Sequence, residues 1–269
     1  MIEQLRPSLF CFLLLTFVSG FFTPVSLNAQ NSSPNDSIAE DKIPDDPTEL
    51  ITRMELKNEF YQTNTEGYLN LTTLRLVYRV AKRLSIRADL PVAYSAPGVE
   101  GVEPKFGLSD VSVRLLGWRI INRLPWVAVA SAEMAFNTAS DPLLGTGKNQ
   151  IIPSFAIARF LPKQKVISAV VVQQFISFGG FSDRQNFNYS RLTFVELRAF
   201  KGGWIFVAQP KLFYDWENGT HFSMVLEAIG VKMMSRNYSL AMQAGAGLFG
   251  DLPTRYDWKL EVDLRKTFR

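Results

Sequence analysis

Ser223, His221 and Glu227 are the one set of side chains in this sequence whose types suit nucleophilic hydrolysis. The chain holds a single His, so His221 is the sole imidazole able to serve as a general base. On a strand, however, residues two apart lie on one face at about 7 Å, which strains any hydrogen bond between His221 and Ser223. One His and one Cys also cannot assemble a His/Cys zinc site, a disulfide or a haem attachment, so neither a metal nor a cofactor is expected. Gly145-Thr146-Gly147-Lys148 resembles a phosphate loop only superficially. A Walker A motif needs Gly five residues before the Gly-Lys pair and Ser or Thr after it, where this chain has Pro142 and Asn149.

The remaining chemistry is carried by charge, set out at a period of two. In the last segment Lys259, Glu261, Asp263 and Arg265 alternate with Trp258, Leu260, Val262 and Leu264. Such a strand separates an apolar environment from a charged one. The same alternation places Arg75, Arg79, Arg87 and Asp89 on polar faces, together with Asp110, Arg114 and Glu133, and then Lys211 and Glu227. Glu196 and Arg198 are placed there too. Spacing of two lets these groups meet opposite charges across neighbouring strands, as structural ion pairs or as a slightly basic conduit.

Three regions position them. Residues 1–29 read as an export signal, with Arg6 before an apolar run from Leu9 to Val18 and an A-x-A-like Leu27-Asn28-Ala29 cleavage site. Ten apolar residues are too few for a spanning helix. Residues 30–50 hold three prolines and six acidic side chains against one Lys, as a disordered periplasmic segment would. Their charge of −5 within a total of +4 leaves +9 on residues 51–269. In an exported protein that basic body suits anionic lipid, lipopolysaccharide or anionic solutes rather than nucleic acid.

Residues 51–269 divide into twelve alternating segments, near 51–62, 67–81, 84–94, 108–121, 125–138, 149–160, 166–178, 188–200, 203–215, 220–233, 237–249 and 256–268. The connections between them alternate between longer loops, such as 95–107, 139–148 and 179–187, and turns of two to four residues. Aromatic residues gather near the strand ends, at headgroup depth. The expectation is an all-β, twelve-stranded antiparallel outer-membrane barrel with both termini on the periplasmic, short-turn side. Closure is required because lipid cannot satisfy an open sheet edge.

Gly107-Leu108-Ser109-Asp110, Phe136-Asn137-Thr138, and Leu144 to Lys148 followed by Pro153 resemble the outer-membrane barrel family called MetA-pathway of phenol degradation. That family shows a G-x-G-D-like strand start, a P-T-G segment and a G-x-G loop. This chain departs from it at Ser109 and at Asn137-Thr138-Ala139. The resemblance implies a channel or transporter for small, often hydrophobic compounds. The function expected is passive passage of a small-molecule solute, gated by inward folding of residues 95–107 or 179–187, in a barrel inserted by the barrel-assembly machinery. The alternatives are a lipid-hydrolase-like enzyme built on His221, or a structural or adhesive barrel acting through its loops.

Overall fold

The computed structural model describes residues 51–63, 67–81, 83–217, 221–250 and 256–268. Residues 1–50, which the sequence reading divides into an export signal and an acidic segment, lie outside the described residues. The strands are β1 (Thr52–Thr63), β2 (Tyr68–Ala81), β3 (Leu84–Ala96), β4 (Lys105–Leu108), β5 (Ser112–Arg123), β6 (Trp126–Ala135) and β7 (Lys148–Leu161). They continue as β8 (Val166–Gly180), β9 (Asn188–Phe200), β10 (Trp204–Asp215), β11 (His221–Met233), β12 (Tyr238–Phe249) and β13 (Tyr256–Phe268). Twelve of them form the wall of a closed antiparallel barrel. Closure runs between β1 and β13, from Thr52 opposite Phe268 to Thr63 opposite Tyr256, so the first and last strands satisfy each other's backbone groups.

The thirteenth strand, β4, is a four-residue flap that pairs only with the long-loop end of β3. It corrects the expectation of one strand over 108–121. Lys105–Leu108 fold back on β3, Ser109 N donates to Pro91 O at 3.0 Å, and the wall strand begins at Ser112. The fifth segment also ends early: β6 stops at Ala135, leaving Phe136-Asn137-Thr138 in the loop.

Solvation is inverted relative to a soluble domain. On β13, Lys259, Asp263 and Arg265 are at most 7% exposed, whereas Leu260, Val262 and Leu264 are 45–55% exposed. The apolar face is turned to lipid and the charged face to the lumen. Aromatic rings mark both rims. At the long-loop end Phe60 contacts Tyr68 and Trp258 at centroid distances of 5.5 and 5.4 Å, and Tyr214 meets Trp216 and Phe222 at 4.5 and 4.8 Å. At the short-turn end Lys232 lies 4.9 Å from the Trp204 ring, and Lys266 lies 5.5 and 5.2 Å from Tyr238 and Phe268. Such pairs keep the ammonium at headgroup depth while its stem stays apolar.

Part of the lumen is packed solid. At the short-turn ends of β7–β12, inward side chains including Ile167, Val195, Leu197, Val207, Val231 and Ala241 form one apolar cluster, each at most 3% exposed. This corrects the expectation that Glu196 and Arg198 point inward. They alternate with Val195 and Leu197 and therefore face outward, with Glu196 accepting from Ser168 Oγ at 2.5 Å and Arg198 lying 5.7 Å from the Phe200 ring.

At the other end, the three segments that carry the family resemblance converge. Asp110 accepts hydrogen bonds from Thr138 N (3.2 Å), Ala139 N (3.2 Å), Thr146 N (2.7 Å) and Thr146 Oγ1 (2.9 Å). Ser109 Oγ donates to Leu144 O at 2.5 Å. Gly145 is required by close approach, since a Cβ there would lie 2.6 Å from Asp110 Oδ1 and 2.5 Å from Ala139 Cβ. Asp110 is thus a staple of the long-loop end and not a lumen residue, correcting that expectation.

Candidate functional site: the lumen cavity

Above the apolar cluster the lumen opens into a cavity of about 480 Å³, to which every one of the twelve wall strands contributes. Its lining carries seven cations (Lys57, Arg75, Arg87, Arg114, Arg191, Lys211 and Lys259) and five anions (Glu59, Asp89, Glu133, Glu227 and Glu261). Alternation on each strand turns these groups inward, and register decides which of them meet.

Two ionic chains result. One runs across β5, β6, β3 and β2. Arg114 Nε donates to Glu133 at 2.6 Å, Arg87 lies 3.0 Å from Glu133 and 3.2 Å from Asp89, and Arg75 Nε reaches Asp89 at 2.8 Å. The other runs across β1, β13, β11 and β10. Glu59 is held by Lys57 at 2.5 Å and by Lys259 at 3.0 Å, and Lys259 also reaches Glu261 at 2.7 Å and Glu227 at 3.9 Å. Glu227 is the most heavily engaged carboxylate, accepting from Lys211 Nζ, Gln243 Nε2 and Tyr256 Oη at 2.5 Å each. Fixed pairs of this kind hold the wall in register while leaving a surplus of positive charge.

The arc formed by β7 to β11 also carries apolar and aromatic side chains, of which Ile152, Phe175, Phe213 and Val225 are themselves at most 8% exposed. Ile152, Phe175, Tyr189, Phe213 and Val225 follow one another on β7 to β11. Tyr189 stacks on Phe175 at 4.4 Å with an interplanar angle of 8°, and sits 6.4 Å from Phe213. Arg191 stands within this arc.

Of the residues expected in the lumen, the cavity brings together Arg75, Arg87, Asp89, Arg114, Glu133, Lys211, Glu227, Lys259 and Glu261. Six fall elsewhere: Glu196 and Arg198 face outward, and four others lie apart from the cavity. Asp110 staples loops, and Arg79 is exposed at the short-turn end of β2 with Nε donating to Ala81 O at 3.3 Å. Asp263 and Arg265 face inward and pair at 2.6 Å but lie outside the cavity, with Arg265 opposite Glu55 of β1. Sequence reasoning missed Lys57, Glu59 and Arg191. The signal for the first two was present, because Arg53, Glu55, Lys57, Glu59 and Tyr61 repeat at a period of two along β1. Arg191 stands between Ser190 and Leu192, with Tyr189 and Thr193 on its own face, and nothing local sets it apart.

The lining of this cavity comes entirely from strands, with no residue of 95–107 or 179–187 in it. Phe181 N instead donates to Gly147 O at 2.9 Å and Arg184 Nη2 to Pro142 O at 2.7 Å, tying that loop to its neighbour. His221 and Glu227 are six residues apart on β11, about 20 Å along an extended strand, with His221 exposed at the rim. The three groups therefore form no hydrolytic constellation. Among the described residues no group of three His, Cys, Asp or Glu is placed to hold a metal ion.

No family model matches the chain, and no curated protein matches it in sequence. Solved structures do match. The COG4313 outer membrane channel from Pseudomonas putida F1 superposes with a TM-score of 0.66 at 13% identity, covering 84% of this chain and 100% of that one. The NanC porin gives 0.57 at 10% identity, covering 80% and 99%. The KdgM porin, solved in complex with disordered oligogalacturonate, gives 0.53 at 10% identity, covering 81% and 99%. At these identities the likeness carries the fold, and together with the lipid-facing wall and its aromatic rims it identifies the chain as a twelve-stranded outer-membrane β-barrel.

Proposed function

We propose that this protein is a passive outer-membrane channel for small molecules that favours anions and the polar ends of amphipathic solutes. The observation that carries the reading is the strand-built cavity with seven cations against five anions. A surplus of fixed positive charge in a confined, poorly screened passage raises the local concentration of anions. The solute moves past the ionic chains and then beside the apolar cluster, along the wall of β13, β1 and β2 where Asp263, Arg265 and Glu55 remain ionic. Export through cleavage of residues 1–29, insertion by the barrel-assembly machinery, and contact with outer-membrane lipids and lipopolysaccharide belong to the same reading.

Single-channel recording in planar bilayers under a salt gradient tests it. The expected result is steady conductance with a reversal potential on the anion side, moved toward zero by Arg114→Gln or Arg75→Gln. A folded, heat-modifiable barrel that passes no current would overturn the channel reading.

A further inference from the structure

Six of the seven cavity cations meet a carboxylate, and Arg191 does not. Lys57, Arg75, Arg87, Arg114, Lys211 and Lys259 each have an acidic partner within 3.2 Å. Arg191 donates from Nε (3.1 Å) and Nη2 (2.5 Å) to one neutral acceptor, Gln173 Oε1. A guanidinium carries five N–H donors, so three remain for an occupant of the lumen. Among the described residues no carboxylate is in ion-pair contact with it, and a buried charge in that state is costly until a counter-anion arrives.

Tyr189 supplies a second donor beside it. It stands two residues away on the same face of β9, and among the described residues no group hydrogen-bonds its hydroxyl. Its ring stacks on Phe175 at 4.4 Å, and the Arg191 guanidinium carbon lies 4.9 Å from the same ring. Phe175 is thus a platform that holds phenol and guanidinium side by side. It offers an occupant almost no surface of its own, and neither do Ile152, Phe213 and Val225, so the wall that an occupant meets is polar.

The charge to be matched is two. Lys57, Lys211 and Lys259 are balanced by Glu59, Glu227 and Glu261, whereas Arg75, Arg87 and Arg114 face only Asp89 and Glu133. Glu55 does not alter that count, because Arg75, at 3.5 Å, shares it with Arg53. The surplus is therefore Arg191 and one positive charge on the arginine chain, whose β5 member, Arg114, acts electrostatically on Arg191 across the lumen. A monovalent anion would leave one of these charges unmatched. An acceptor-rich oxyanion of charge −2 serves the free guanidinium donors, the Tyr189 hydroxyl and the facing arginine together.

We infer that Arg191 and Tyr189, facing Arg114 across the lumen, form a binding subsite for small hydrophilic oxyanions of charge −2, such as a phosphate group. The inference rests on the channel reading in that its occupant would be a transported solute.

Isothermal titration of the full protein, extracted from outer membranes in detergent, with sodium phosphate above neutral pH, where the dianion predominates, tests this. Sodium acetate at matched ionic strength supplies a monovalent oxyanion, and phosphate is expected to bind about tenfold more tightly or better. Glycerol 2-phosphate presents the same dianion as an ester. Tighter binding of the ester points to a phosphomonoester as the solute and tighter binding of phosphate to the free ion, and both support the subsite. Arg191→Gln should weaken phosphate binding about tenfold or more, in line with loss of a charge-assisted contact. Arg191→Lys, which keeps the charge but not the fork, should fall between. Tyr189→Phe, which keeps the ring on Phe175, should weaken phosphate severalfold. Heat-modifiability establishes that each variant is folded, and conductance measured on the same preparations separates the two readings. A conducting barrel that binds phosphate no better than acetate, or in which folded Arg191→Gln and Tyr189→Phe bind phosphate as the wild type does, overturns the subsite and leaves the channel. A barrel without conductance that binds phosphate through Arg191 overturns the channel and supports the subsite.

Discussion

Replacing Glu227 by Gln removes the carboxylate on which Lys211, Gln243 and Tyr256 converge at 2.5 Å, with Lys259 3.9 Å away. Gln has nearly the same shape, so packing is conserved and the change is electrostatic. The amide can keep its Oε1 toward Lys211 and Gln243, but its NH2 group then replaces the oxygen that faces Tyr256 Oη and Lys259, and the charge that balanced the two lysines is gone. Deleting one partner of a buried ion pair costs about 3–5 kcal/mol. Lys211 keeps 15% of its side-chain surface accessible and borders a cavity large enough for water, so rehydration offsets part of that loss and the lower end, about 3 kcal/mol, applies. With a urea slope of about 3 kcal/mol/M, the unfolding midpoint should fall by about 1 M. Urea titration of the barrel in lipid vesicles, followed by Trp fluorescence, measures this. The lining would also change from seven cations and five anions to seven and four, so the reversal potential should move further to the anion side. An unchanged midpoint together with unchanged selectivity would refute the view that Glu227 is an ionised hub of the lumen wall.

Three other perturbations probe different layers of the structure. Leu197→Ala removes a fully buried member of the apolar cluster and should cost about 2–5 kcal/mol while raising single-channel conductance, because the cavity it leaves lies inside the lumen. A destabilised variant with wild-type conductance would mean that this cluster does not limit passage. Val262→Arg, on the lipid face in the middle of β13, should cost about 2–4 kcal/mol in the same urea assay, and a neutral result would contradict the placement of that face in the bilayer. Asp110→Ala deprives three backbone N–H groups and the Thr146 hydroxyl of their acceptor. Limited proteolysis within residues 136–147 should accelerate while heat-modifiability persists, and equal cleavage rates would remove the staple role.

The wall of this barrel was legible because it is a local property. Alternation along β13 and β2 separates lipid-facing from lumen-facing side chains whatever the neighbouring strands are, and twelve such segments with alternating connection lengths suffice for closure. Failures came where the local rule depends on what fills the interior. On β9, equating charge with the lumen predicts Glu196 and Arg198 on the inner face. At that level the lumen is packed with Val195, Leu197, Ile167 and Val207, so the inner face is the apolar one and the charged face meets the headgroups. Asp110 was misplaced for a similar reason, since its partners Thr138, Ala139 and Thr146 come from a loop that only folding brings to it.

Period and charge in the sequence by themselves determined that the chain makes a lipid-spanning barrel with an ionic, net-basic interior. Tertiary structure alone decided which cations are neutralised. Pairing is set by register and closure between strands as distant in sequence as β1 and β13, where Lys259 reaches Glu59, and no local pattern encodes that meeting. The same register leaves Arg191 against Gln173 and the Phe175 ring rather than a carboxylate, so one of the cavity's surplus cations sits apart from both ionic chains.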